Sequence, residues 1–226
     1  MTLSERATKY LGTLNRIGKF HLDKEKTIEY CKKQNFHLTE RLLDIQTKFS
    51  GYKLTIRNDS GHSFLLRLFA EYDFNENREI EFYFFGDTYV VVFGEHDTAQ
   101  FQFYITNLGE LCTLGHHDGD TPNIICSSIE KFIEQYALQN ELALQTKNPY
   151  YYDILNIEEL TKLLEQDFAK IEECSDKYSQ WFTNGRLTID RGTWLDRPEF
   201  YLHVYGQNKE SCDKFVDQLK QNKIIG

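Results

Sequence analysis

Three segments with helical periodicity open the chain. Leu3, Ala7, Tyr10, Leu11, Leu14 and Ile17 recur at three- and four-residue spacing and predict a helix over 3–17. Thr2 and Glu5 stand as a capping box at its start, and Gly18 is placed to end it. Asp23 begins a more polar helix to about Lys33, and Thr39 caps a third that runs to Phe49 with Leu42, Ile45 and Phe49 inward. Leu38 and Leu43 flank that cap at hydrophobic-staple spacing, and Ser50-Gly51 stops the helix.

Past Gly51 the period changes to two. Segments 53–57, 63–69, 79–85, 89–93, 100–106 and 111–114 predict strands. Their links are short and turn-like: Asn58-Asp59-Ser60-Gly61, Asn75-Glu76-Asn77, Gly86-Asp87 and Asn107-Leu108-Gly109. Consecutive strands joined by tight turns predict an antiparallel meander. Glu79, Glu81 and Tyr83 alternate with Ile80, Phe82 and Phe84, so one face of that strand should be wet and the other covered by helices.

Ser127 and Glu130 form another capping box, and Ile129, Phe132, Ile133 and Tyr136 then share a helical face. Lys147-Asn148-Pro149 breaks that helix. Asn156 caps a further helix expected to reach Cys174, with Ile157, Leu160, Leu164, Phe168 and Ile171 in register. Strands over 186–191 and 199–205 and a helix over 208–221 complete the chain. The expected fold is α+β: an antiparallel sheet of about six strands with helices packed on it, plus a C-terminal α-β-β-α extension. We place the first domain at 1–148 and the second unit at 149–226; the latter is near the lower size for independent folding and should dock on the first.

Composition narrows the function classes. With 226 residues and 15% aromatics the chain can bury a real core, and three prolines with no low-complexity tract speak against disorder. No apolar run approaches the roughly 20 residues of a membrane span. The first residues lack a signal-peptide pattern, so a cytoplasmic protein without membrane contact is expected. Five widely spaced cysteines without a C-x-x-C pair suit reduced thiols, with Cys112 and Cys126 among apolar neighbours. A net charge of −9 opposes direct nucleic-acid binding and suits a basic protein partner.

The acids are bunched. Glu71, Asp73, Glu76, Glu79, Glu81 and Asp87 face only Arg78, a local charge of −5, and eight acids between 153 and 176 face two lysines, a local −6. Tyr72, Tyr83 and Tyr89 lie with the first patch and would anchor a contact if exposed.

Candidate chemistry is sparse. The chain has no nucleophile elbow, no P-loop and no dinucleotide-binding glycine pattern. The densest polar cluster is His116-His117-Asp118-Gly119-Asp120, with His96-Asp97 upstream. Imidazole and carboxylate ligate zinc, iron or manganese. Adjacent loop histidines diverge, however, and no helical H-x-x-x-H supports them, so the cluster reads as a solvated loop. A metal-dependent hydrolase using His96, His116, His117 and Asp120 is the alternative. We assign no catalytic residue, cofactor or metal.

Three stretches together suggest a family. They are Leu42-Leu43-Asp44-Ile45-Gln46-Thr47-Lys48-Phe49-Ser50-Gly51 leading into strands, Phe103-Tyr104-Ile105-Thr106-Asn107-Leu108-Gly109-Glu110-Leu111, and Ser127-Ser128-Ile129-Glu130-Lys131-Phe132-Ile133-Glu134. The order resembles the SUKH superfamily over roughly 25–145, a span matching one compact domain. His37-Leu38-Thr39 stands where that family carries a Leu-Pro pair, and the tail from Pro149 has no counterpart. The resemblance implies a bacterial immunity protein that neutralises a cognate toxin by stoichiometric binding, without catalysis. An intracellular adaptor on the same scaffold is the second reading. The expected partner is a basic toxin domain, and the expected contacts are Asp73, Glu76, Glu79, Glu81, Tyr83 and Asp87.

Overall fold

The computed structural model of the protein describes residues 2–57, 59–114, 121–147 and 150–226. Helix α1 (Glu5–Gly12) starts at Ser4, whose side-chain oxygen accepts from the Ala7 N–H. A tertiary contact moves the cap there from Thr2: the Ser4 N–H and hydroxyl both donate to the Glu134 carboxylate, at 2.6 and 2.7 Å. Helices α2 (Lys24–Lys33) and α3 (Glu40–Phe49) follow the pattern, capped by the side chains of Asp23 and Thr39. Helix α1 stops well short of residue 17 because Arg16 is recruited elsewhere. Its guanidinium donates to the carbonyls of Ser50 and Thr47 at 2.6 and 2.8 Å, placing a cation on the loose carbonyl end of α3. Gly51 then turns the chain into the first strand at φ +92°, where a Cβ would stand 2.9 Å from the Ile17 carbonyl oxygen.

The middle of the chain runs β1 (Lys53–Ile56), β2 (Asp59–Leu65), the short helix α4 (Glu71–Asn75), β3 (Phe82–Phe85), β4 (Thr88–Val92), β5 (Glu95–His96), β6 (Phe103–Thr106), β7 (Leu111–Leu114), β8 (Pro122–Cys126) and helix α5 (Ile129–Leu142). All pairings are antiparallel, but the strands divide between two sheets, of order β1-β2-β5 and β3-β4-β6-β7-β8. The break falls after Leu65. Leu66, Leu68, Phe69 and Ala70 are buried without continuing the strand and lead into α4, so apolar residues there report burial and not a ladder. Asn75-Glu76-Asn77 closes α4, with Asn77 at φ +48°, and is not a hairpin.

Helices α1, α3 and α5 contribute to one large core with both of these sheets. Its centre is aromatic: Phe64 meets Phe103 and Phe132 edge-on at 5.0 and 4.9 Å, and Phe36 meets Phe82 and Tyr89 at 5.3 Å each.

The remaining chain runs β9 (Thr146–Lys147), β10 (Tyr152–Asp153), helix α6 (Ile157–Asp167), β11 (Ala169–Lys170), β12 (Gln180–Thr183), β13 (Leu187–Thr193), β14 (Phe200–Gly206) and helix α7 (Lys209–Gln221). The third sheet has the order β10-β14-β13-β12-β11, with β9 also on β14. Two strands of the expected α-β-β-α unit are present as β13 and β14; β10, β11 and β12 add to them. Helix α6 ends at Asp167 and not at Cys174, because Ala169 and Lys170 pair with Thr183 and Phe182. Leu160 and Leu164 of α6 and Phe215, Val216 and Leu219 of α7 cover one face of this sheet.

Its other face meets α5. Leu138 and Leu142 pack with Trp181 and Tyr205, while Ile129, Ile133, Tyr136 and Ala137 belong to the first core. Ten of the fourteen residues of α5 are consequently buried, so it is a core helix between layers and not an amphipathic surface helix. Its buried charges are met. Glu130 takes two hydrogen bonds from Arg41, Lys131 Nζ donates to the Glu172 carbonyl, and Gln135 donates to the Cys174 carbonyl at 3.1 Å. Burial pushes the Glu130 carboxyl up, and the hydrogen bonds and charge of Arg41 outweigh it and hold the group below its ordinary value. All five cysteines are buried, and burial pushes the Cys112 thiol up to about 12. Among the described residues, no helix is long and apolar enough to cross a membrane.

Candidate functional site

The hairpin β3–β4 brings two of the exposed aromatics, Tyr83 and Phe84, together with exposed acids; Tyr150 and Tyr151 are exposed elsewhere, just before β10. Phe85 pairs with Thr88 across a two-residue turn in which Gly86 takes φ +61°, the left-handed backbone such turns require. Strand β3 is the outer strand of its sheet. Phe82 is half-buried against Phe36, but Phe84, on the same face and two residues further out, is 71% exposed. On the opposite face Tyr83 is 43% exposed and meets Tyr104 edge-on at 6.0 Å. Tyr83 donates to the Glu81 carboxylate at 2.7 Å, and that bond, with the carboxylate charge, holds the phenol above its ordinary value.

The structure sorts the six expected contact residues. Asp73 is a structural acid, accepting from the Ala70 N–H at 2.9 Å at the start of α4. Glu76 is paired with Arg78 at 2.7 Å. Glu79, Glu81 and Asp87 are exposed and have no ion pair among the described residues, and with Tyr83 they flank β3. Of the other tyrosines considered as anchors, Tyr89 is buried with its hydroxyl on the His37 carbonyl, and Tyr72 is half-buried under Arg78.

The second acidic stretch is partly engaged. Asp153 accepts from Trp194 and Arg197, Asp176 from the N–H groups of Ser127, Tyr178 and Ser179, and Glu173 pairs with Arg6. The bonds of Asp176 to Ser127 and of Glu173 to Arg6 tie this segment to the rest of the fold, while Glu158, Glu165 and Asp167 on α6 are exposed with no ion pair among the described residues.

His116, His117 and Asp120 lie outside the described residues. His96 accepts the N–H groups of Thr98 and Ala99 at Nδ1, 3.2 and 3.1 Å away, and meets His62 edge-on at 5.9 Å. Burial first, then His62, holds His96 below its ordinary value. Among the described residues no three His, Cys, Asp or Glu side chains gather as a metal site. A cavity of about 170 Å³ lies between α5 and the third sheet, lined among others by His62, His96, Phe132, Tyr136, Tyr151 and Tyr201. That is below the ~300 Å³ at which ordinary ligand pockets begin.

Phe84 is the site residue that alternation hides. The period-two pattern assigns it to the helix-covered face, and that holds for Ile80, which is buried. It lapses at Phe84 because the strand runs past the cover as it approaches its turn. The nearby Gly86-Asp87 turn is the signal that the strand is ending there.

No family model, curated protein or solved structure matches the chain. The fold itself defines the class: an α+β protein of three antiparallel sheets, with an acidic, aromatic outer strand on the second.

Proposed function

We propose that the chain is a non-catalytic binding protein of the cytoplasm, a SUKH-like immunity protein that neutralises a cognate bacterial toxin by stoichiometric binding. The observation that supports it most is the outer strand β3, with Tyr83 and Phe84 exposed and Glu79, Glu81 and Asp87 around them free of ion pairs among the described residues. Exposed aromatics supply contact area, and uncompensated acids speed and orient the approach of a basic domain. On this reading no residue acts as a nucleophile or a metal ligand.

The test is to read the neighbouring genes for a toxin, whose absence would weaken the reading, and to co-express the candidate found there with this chain. The wild-type chain restores growth, and the triple variant Glu79→Lys, Glu81→Lys, Asp87→Lys loses protection while keeping its thermal melt. Its association rate falls at least ~10-fold, and the wild-type rate drops steeply with added salt. Unrelieved toxicity with the wild-type chain sinks the reading. Stable capture of a housekeeping complex in its place favours the adaptor.

A further inference from the structure

The ladder of β3 carries a more specific partner chemistry. In an antiparallel pair, residues alternate between exchanging hydrogen bonds with the neighbour and turning those groups away. Phe85 and Thr88 close the two-residue turn, Tyr83 pairs with Val90, and the Val92 N–H donates to the Glu81 carbonyl at 3.3 Å. Glu81, Tyr83 and Phe85 therefore spend their backbone groups on β4. Phe82 and Phe84 turn their N–H and C=O groups outward, where no strand lies among the described residues.

Sheet edges in soluble proteins are blunted by shortness, charged side chains, proline, a bulge or a covering segment. Strand β3, Phe82-Tyr83-Phe84-Phe85, is short and has acids on either side, but it contains neither lysine nor proline and pairs with β4 in one unbroken register.

We infer that β3 is a docking edge for an extended, basic segment of the partner protein, which adds as a further antiparallel strand. This rests on reading the acidic edge as a protein-binding site and specifies how it binds. The added strand takes up the outward N–H and C=O groups of Phe82 and Phe84. Its side chains fall alternately beside Phe84 on one face and beside Glu81 and Tyr83 on the other, since neighbouring strands share their pleat.

The acids select the occupant. If a second copy of the chain supplied the strand, pairing Phe82 with Phe84 antiparallel would bring Glu79 toward Asp87 at both ends of the added pair. Like charges in that position repel, whereas lysine or arginine there is attracted. The same acids thus keep copies of this chain apart and admit a basic strand.

The experiment uses the full chain, ¹⁵N-labelled, and the synthetic peptide Lys-Val-Lys-Val-Lys-Val. A twin methylated on alternate backbone nitrogens and a Glu-Val peptide of equal length serve as comparisons. The expected result is saturable binding that slows amide exchange at Phe82 and Phe84 at least tenfold, with the methylated twin and the Glu-Val peptide at least tenfold weaker. Phe84→Pro removes an outward N–H and no bond to β4, so it abolishes peptide binding while the thermal melt remains cooperative. If that variant fails to fold, the methylated twin still decides. Equal binding of the methylated twin, or unprotected Phe82 and Phe84 amides, overturns strand addition while leaving the acidic-surface reading standing. Equal binding of the Glu-Val peptide, or a dimer of this chain joined at β3, overturns the basic occupant.

Discussion

Asp190 is a buried acid held on thin terms. It is 3% exposed in the centre of β13, accepts one hydrogen bond from the Tyr201 hydroxyl at 3.2 Å, and has its second oxygen unmet among the described residues. Burial pushes its carboxyl up to about 7, against about 3.9 in an unfolded chain. Between those values the unfolded chain releases the proton and the folded chain keeps it. Stability therefore falls as pH rises through the window and levels off above about 7, with a ceiling on the loss of about 4 kcal/mol. Asp190→Asn retains an acceptor for Tyr201 and cannot ionise. The difference in urea-unfolding free energy between variant and wild type should grow in the variant's favour as pH rises from about 4 to about 7 and level off above it, the other titrating groups being common to both. Parallel profiles for the two proteins would show that Asp190 is solvated in a way its burial denies.

At the scale of elements, α5 couples the layers, and its two sides can be tested separately. Ile133 is buried in the first core and Leu138 in the small cluster with Trp181. Each truncation to alanine should cost about 2–5 kcal/mol, the range for cavities in well-packed sites. If the layers unfold together, both variants keep one cooperative transition in thermal melts. A two-step melt for Leu138→Ala alone would mean that the third sheet comes away first. This helix also marks what the sequence could and could not reveal. Helices α2, α3 and α7 were legible from the polar caps Asp23, Thr39 and Asn208, joined in α7 by an apolar stripe and in α3 by a stripe and a stop. Helix α6 was read too long because Phe168 and Ile171 continue its period while serving different clusters. The split between the first two sheets was illegible, since Leu66 and Phe69 are as apolar off the ladder as on it. Glu79, Glu81, Tyr83 and Asp87 were legible at the candidate site from charge and alternation. Phe84 was hidden because exposure at a sheet edge depends on how far neighbouring elements reach.

Across the whole molecule, the residues after 149 make up part of the enclosure of α5, and removing them tests how the fold is held. A chain ending at residue 147 would uncover Leu138 and Leu142, which pack on Trp181 and Tyr205. It would also strand polar groups that reach across. Lys131 donates to the Glu172 carbonyl, the Ser127 N–H to Asp176 at 2.6 Å, the Thr113 hydroxyl to the Leu195 carbonyl at 2.6 Å, and Asn123 to the Trp194 carbonyl at 2.8 Å. Exposed apolar area favours association, and each crossing hydrogen bond exchanged for water forfeits about 0.5–1.5 kcal/mol. Together these losses are comparable with the ~5–15 kcal/mol that holds a domain folded. The shortened chain should therefore lose its sharp thermal transition, bind a hydrophobic dye and aggregate at micromolar concentration. Adding Leu138→Glu and Leu142→Lys should reduce dye binding and aggregation but leave the transition broad, because the crossing hydrogen bonds remain absent. A monomeric shortened chain that melts within about 2 °C of the full protein would show that the first two sheets and their helices stand alone. The third sheet would then be an appended layer whose contacts with α5 add little.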